Sequence, residues 1–185
     1  RMGVLAKHPD PNQACRPFDR SRNGFVMGEG AAMFVVERLS HALARGATIY
    51  AEIVSGAILA EAHHVTGLDI ESKTLVHLIH RTLKKAAVAP EDVGYINAHG
   101  TGTEQNDLVE MRGIRTALGQ AADQVAVSAS KSMIGHLVNA AGGGICHNGL
   151  LIGWNFHELQ RPMPAKSSRP SPGSHLLICG YWRST

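Results

Sequence analysis

The chain has 185 residues, 44% hydrophobic and 18% charged, with a net charge of +3; that suffices for one sizeable core and excludes a disordered chain. Its mildly basic, scattered charges argue against nucleic acid as a partner. No apolar run reaches the ~18 residues of a membrane span and no secretion signal opens it, while three cysteines without a CxxC pair exclude a disulfide framework or structural zinc site, so the cytoplasm is the expected compartment.

In chain order, residues 1–23 are rich in Pro, Asn, Asp and Arg and read as loop. The opening Arg1, in place of Met, suggests that the true start lies upstream. From Gly24 the segment GFVMGEGAAMFVVERL brings three glycines and the apolar run AMFVV, which suits a buried strand. Ser40 is the expected cap of a short helix that Gly46 ends. TIYAEIVSGAIL reads as a second strand. Residues 70–88 form an amphipathic helix with Leu75, Leu78, Ile79, Leu83 and Ala86 on one stripe, and Pro90 closes it. GYINA is a strand, HGTGTEQN a polar loop and DLVEMRGIRTALG a helix that Asp107 is placed to cap. QVAVSAS is a strand, KSMIG a loop, and HLVNAAGG opens another helix. Strands alternating with helices predict an α/β fold.

After Gly142 the texture changes in mid-helix, an odd place for a domain boundary. Residues 143–185 hold four of the eight prolines, both tryptophans and only one acidic residue, Glu158. The expected division is therefore a partial domain over 1–142 and an aberrant tail over 143–185 without ordered structure. A reading-frame slip near Gly143 is the hypothesis that accounts for the shift. Resequencing that finds no inserted or deleted base would remove it.

Two loops at strand ends carry the chemistry-bearing residues: His99 in HGTGT, and Lys131 and His136 around KSMIGH. A rigid sheet aims such loops, which is why α/β proteins place sites there. His136 is expected at a helix N-terminus, where the dipole disfavours imidazolium, and Lys131 pushes the same way. Neutral imidazoles donate N–H to a developing oxyanion, and loss of one such donor typically costs ~10²–10³ in rate. Singly these residues mean little: most of the 11 histidines must be surface or core, and a lone lysine is ordinarily solvated. Neither GEG nor HGTGT matches GxGxxG or a P-loop. His63–His64 lacks a third metal ligand at suitable spacing. Cys15 has neither a helix start nor a base nearby and is rejected as a nucleophile.

Three blocks, RPFDRSRNGFVMGEGAAMFVVERLSHALARGATIYAEI, YINAHGTGTEQNDLVEMRGI and VSASKSMIGHLVNAAG, resemble in order and spacing the β-ketoacyl-acyl-carrier-protein synthases of the elongating type, near synthase II. The resemblance covers residues 1–142; the ketosynthase domains of polyketide synthases share these blocks. It implies a thiolase-like fold of five layers (αβαβα), of which this chain is mainly the C-terminal αβ half. It implies decarboxylative Claisen condensation of malonyl-carrier protein with an acyl thioester in fatty-acid biosynthesis, with acyl carrier protein as partner and a homodimer in the intact family. By resemblance, His99 and His136 stabilise the enolate and Lys131 shapes the electrostatics around them. Thr101 and Thr103 contact the phosphopantetheine arm, while Asp107 and Glu110 support the loop and helix. No metal or resident cofactor is implied, since the arm arrives with the carrier protein. The family's nucleophilic cysteine lies in its first half, and its gating Gly/Phe-rich loop near the C-terminus has no match here. Alone the chain is expected to be inactive. The alternatives are a polyketide ketosynthase fragment and a non-catalytic carrier-protein-binding module; thiolase-like degradation fits the fold but not HGTGT and KSMIGH.

Overall fold

A computed structural model describes residues 3–64, 67–144 and 175–182. The amphipathic stripe read over 70–88 forms α2, Lys73–Ala86, which buries Leu78, Ile79, Thr82 and Leu83. Thr82 was not part of the expected stripe; it is tolerated because its hydroxyl donates to the Leu78 carbonyl at 2.8 Å within the same helix. The helix ends on Ala87 in the left-handed region, before Pro90 begins a 3₁₀ turn. α3, Glu104–Leu118, packs on α2 and buries Val109, Ile114, Ala117 and Leu118. The helices approach closely at Gly113, where a Cβ would stand 2.7 Å from Leu75 Cδ2. Ile79, Leu83, Val93, Ile114, Ala117 and Leu118 are the buried centre of this core.

Tyr95–Asn97 is β2 and Ala126–Ser128 is β3; they pair in parallel through the intervening α3. Their alternation puts Ile96 and Val127 on the core. The opposite face is polar: Tyr95 bonds Ser128 at 2.6 Å, and Asn97 Nδ2 donates to Ser130 Oγ at 2.7 Å. Those bonds tie together the two strand ends from which His99 and Lys131 emerge. The second sheet pairs β1, Glu52–Ala60, in parallel with β4, His175–Trp182, and β1 packs on α2.

Several expectations need correction. The tail is not wholly without structure: 175–182 joins the open edge of β1, as a short run of strand-favouring residues can where ladder groups are unpaired. The rest of that expectation falls on 145–174 and 183–185, outside the described residues. The run AMFVV is not a buried strand. Met33, Val35 and Val36 are 95%, 88% and 71% exposed, and the segment has no ladder partner among the described residues. Hydrophobicity alone cannot make a strand without a neighbour to bond. The short helix α1, Leu39–Ala44, starts after Arg38 with no side-chain cap, so Ser40 lies inside it. KSMIG is not simply loop, since Lys131–Ile134 forms the single-turn helix α4.

Candidate functional site

β2 delivers His99 and the loop behind it. Glu110, in the second turn of α3, accepts the His99 N–H at 2.6 Å and the Gly100 N–H at 2.8 Å. From the other side Lys131 Nζ donates to the His99 carbonyl at 2.6 Å and lies 3.4 Å from His99 Nδ1. One residue is thus held at its N–H, its C=O and its ring by two oppositely charged groups. Lys131 is 1% exposed, the reverse of the solvated lysine its spacing alone suggests. Burial pushes its ammonium down to about 8, against the opposing pull of Glu110, Cys15 and Asp107. Burial likewise raises the Glu110 carboxyl, with the Gly100 and His99 N–H groups resisting.

His136 arrives by a different route. Its N–H donates to the Val26 carbonyl at 2.7 Å and its C=O accepts the Gly28 N–H at 3.1 Å, so a β-bridge to the GFVMG segment fixes its backbone. Its ring lies 5.4 Å from that of His99, centroid to centroid, at 85°, and 5.3 Å from Phe25. His136 stands two residues before a 3₁₀ turn, Val138–Ala140, that leads into helical residues 141–144, so a helix does open here as expected. Burial first, then Lys131, lowers the pKa of its ring. The same causes, with His136 added, hold His99 down at about 3. Both rings are uncharged at neutral pH.

Their tautomers follow from the donors around them. The Val138 N–H donates to His136 Nδ1 at 3.0 Å, which leaves the ring proton on Nε2. The Lys131 ammonium beside His99 Nδ1 imposes the same choice there. Each ring can therefore offer one Nε2–H to an anionic oxygen, which is the chemistry an enolate needs.

The loop between His99 and α3 is set by Gly102, whose φ of +80 places any Cβ 2.7 Å from the Gly24 carbonyl oxygen. Thr101 and Thr103 face one another, hydroxyl to hydroxyl, at 2.9 Å. Thr103, not Asp107, caps α3, accepting the Asn106 N–H at 3.3 Å. Asp107 instead lies buried inside the first turn and accepts the Phe18 N–H at 2.7 Å and the Gly102 N–H at 3.1 Å. A small open cleft borders this region, with His99 and Glu110 beside Leu68, Leu75 and Val109. Cys15 donates its thiol to the Lys131 carbonyl, and burial raises its pKa, so it is poorly suited to act as a thiolate. Sequence reading missed Asn106, a neighbour of this loop in the chain, and Phe18 and Arg22, which meet it from more than 80 residues away, a separation no local periodicity marks.

The β-ketoacyl synthase C-terminal domain matches residues 50–146, and the N-terminal domain of the same enzymes matches residues 1–42. The chain belongs to the β-ketoacyl synthase family. Its ketosynthase relatives include 3-oxoacyl-[acyl-carrier-protein] synthase 2 of Synechocystis sp., 47% identical over 137 residues, 74% of this chain and 33% of the relative. A putative polyketide β-ketoacyl synthase 1 of Streptomyces halstedii is 47% identical over 133 residues, 72% of this chain and 32% of the relative. Among solved structures, a ketosynthase complex with a type II polyketide acyl-carrier protein matches with TM-score 0.76 and 34% identity, over 82% of this chain and 38% of that one. The ishigamide ketosynthase/chain length factor matches with TM-score 0.72 and 37% identity, over 83% of this chain and 36% of that one. This β-ketoacyl synthase chain thus spans about a third of the length of the curated relatives it matches.

Proposed function

We propose that residues 1–142 supply the decarboxylation donors of a condensing enzyme that acts on malonyl-carrier protein, within a thiolase-like five-layered fold of which they form mainly the second half. The observation that carries this reading is the pair of neutral imidazoles, 5.4 Å apart, each with Nδ1 engaged and Nε2–H available. In the proposed step the bond between the malonyl carboxylate and its α-carbon breaks and carbon dioxide leaves. The electron pair passes into the enolate, and negative charge gathers on the thioester oxygen, where the two N–H groups stabilise it. The α-carbon then attacks an acyl thioester, forming the new carbon–carbon bond and releasing a thiolate. Thr101 and Thr103 meet the phosphopantetheine arm, while Glu110, Asp107 and Lys131 hold the loop and its charge. The carrier protein is the proposed partner and a homodimer the proposed assembly. Relatives from fatty-acid and polyketide synthesis match at the same 47% identity, so the proposal is the reaction they have in common.

Mixed with acyl- and malonyl-carrier protein, the chain by itself should give no elongated product. A chimera in which residues 1–142 replace the matching stretch of the Synechocystis synthase should condense, and His99→Ala or His136→Ala within it should lose about 10²-fold or more in decarboxylation. A folded chimera whose rate is indifferent to both substitutions sinks the proposal. Titration with carrier protein separates the binding-module alternative, which requires tight binding by this chain alone.

A further inference from the structure

The structure assigns Arg22 a role that no periodicity in the chain announces: we propose that it is a positioning residue for the loop carrying Thr101 and Thr103. Its guanidinium engages all three nitrogens, two of them on this loop and the start of α3. Nε donates to the Thr103 carbonyl at 3.2 Å and lies 3.4 Å from Asp107 Oδ2. One terminal nitrogen donates to the Glu104 carbonyl at 2.9 Å, and the other to the Asp19 carbonyl at 2.9 Å, closing its own loop.

Asp107 explains why a fork is needed. Its carboxylate is almost wholly excluded from water and touches Phe18 N–H, Gly102 N–H and Asn106 Nδ2, with Arg22 as its one ion-pair partner among the described residues. A buried carboxylate stripped of its counter-charge is strongly destabilising. The same segment holds the loop a second time, through the Gly24 N–H on the Gly102 carbonyl at 2.9 Å. Arg22 therefore acts on the two hydroxyls through Asp107 and Gly102 on one side and the Thr103 carbonyl on the other. A lysine would carry the charge but could not span a carboxylate and two carbonyls. The consequence for ligand binding rests on the reading of Thr101 and Thr103 as contacts of the pantetheine arm; the positioning itself does not.

Amide hydrogen exchange and methyl NMR on the full chain, with and without pantetheine as the probe, test this. Arg22→Ala should speed exchange at the Gly102 N–H about tenfold or more, as loss of a charge-assisted bond implies, and should move the Thr101 and Thr103 methyl signals. Arg22→Lys should restore only part of the protection. The change should stay within residues 100–103, whereas a merely structural role would speed exchange along all of α3. In an Asp107→Asn background, where no charge needs neutralising, Arg22→Ala should have a several-fold smaller effect. Unchanged exchange in Arg22→Ala, or an equal effect in both backgrounds, overturns the proposal. If Arg22→Ala does not fold, Arg22→Lys read in the two backgrounds makes the same comparison. Pantetheine affinity should fall about tenfold with the loop, and an unaltered affinity in a loosened loop breaks the link to the ligand. A wild-type chain that ignores pantetheine counts against the substrate reading, while the exchange data still decide Arg22.

Discussion

Lys131 reinforces burial in setting the electrostatics of the site. Its buried ammonium lowers the titration of both neighbouring imidazoles and is itself held at about 8 by burial, Glu110 working against that shift. Lys131→Met keeps the bulk and removes the charge, so the ring-proton titrations of His99 and His136, followed by NMR, should both move upward. A downward move would show that the lysine does not govern them. The pH dependence of stability has a definite sign. His99 titrates at about 3 when folded and near 6.5 when unfolded, so between those values the unfolded chain binds the extra proton. Its contribution is complete above about 6.5 and is lost as pH falls, by about 2 kcal/mol at pH 5. Denaturant unfolding of the wild type should show that loss, and His99→Gln should lack it.

At the scale of elements, α3 does most of the work of aiming the site. Its first two turns carry Asp107 and Glu110 beneath the loop, and its far side carries the core. The position of that helix depends on Gly113, since a larger residue would collide with Leu75 and Ser72 of the α2 region. Gly113→Val should therefore cost about 1–3 kcal/mol in denaturant unfolding, the usual penalty for overpacking. A neutral effect would mean that α2 and α3 slide apart freely, and the clamp on His99 would not be rigid. The expected period-3.6 stripe of α2 was legible because one face of that helix packs on β1 and α3. The strand expected at AMFVV was misread because a strand needs a neighbour, and apolar residues do not name one.

For the molecule as a whole, the notable feature is apolar surface left exposed among the described residues. Met33, Val35, Val36, Ile53 and Ile58 are all at least half exposed. Surfaces of this kind mark interfaces or aggregation sites, and the chain spans only about a third of its relatives' length. The chain expressed alone should self-associate as its concentration rises. Sedimentation over a concentration series checks this, and a chain that stays monomeric throughout would count against it. Replacing Val35 with Lys should reduce self-association while leaving the His99 and His136 ring signals in place.

Local pattern sufficed for what depends on neighbours in sequence. The α/β alternation, the two long helices, and the presence of His99, Lys131 and His136 at loop ends all follow from period and turn chemistry. Tertiary structure decided the rest, because burial and charge partners come from segments far apart in the chain. The sequence could not reveal that Lys131 is enclosed, that burial is the first cause lowering the His136 pKa, or that Thr103 displaces Asp107 as the cap. Nor could it show that Arg22 meets Asp107. A pKa or a buried ion pair depends on which atoms exclude water, and only the folded chain specifies them.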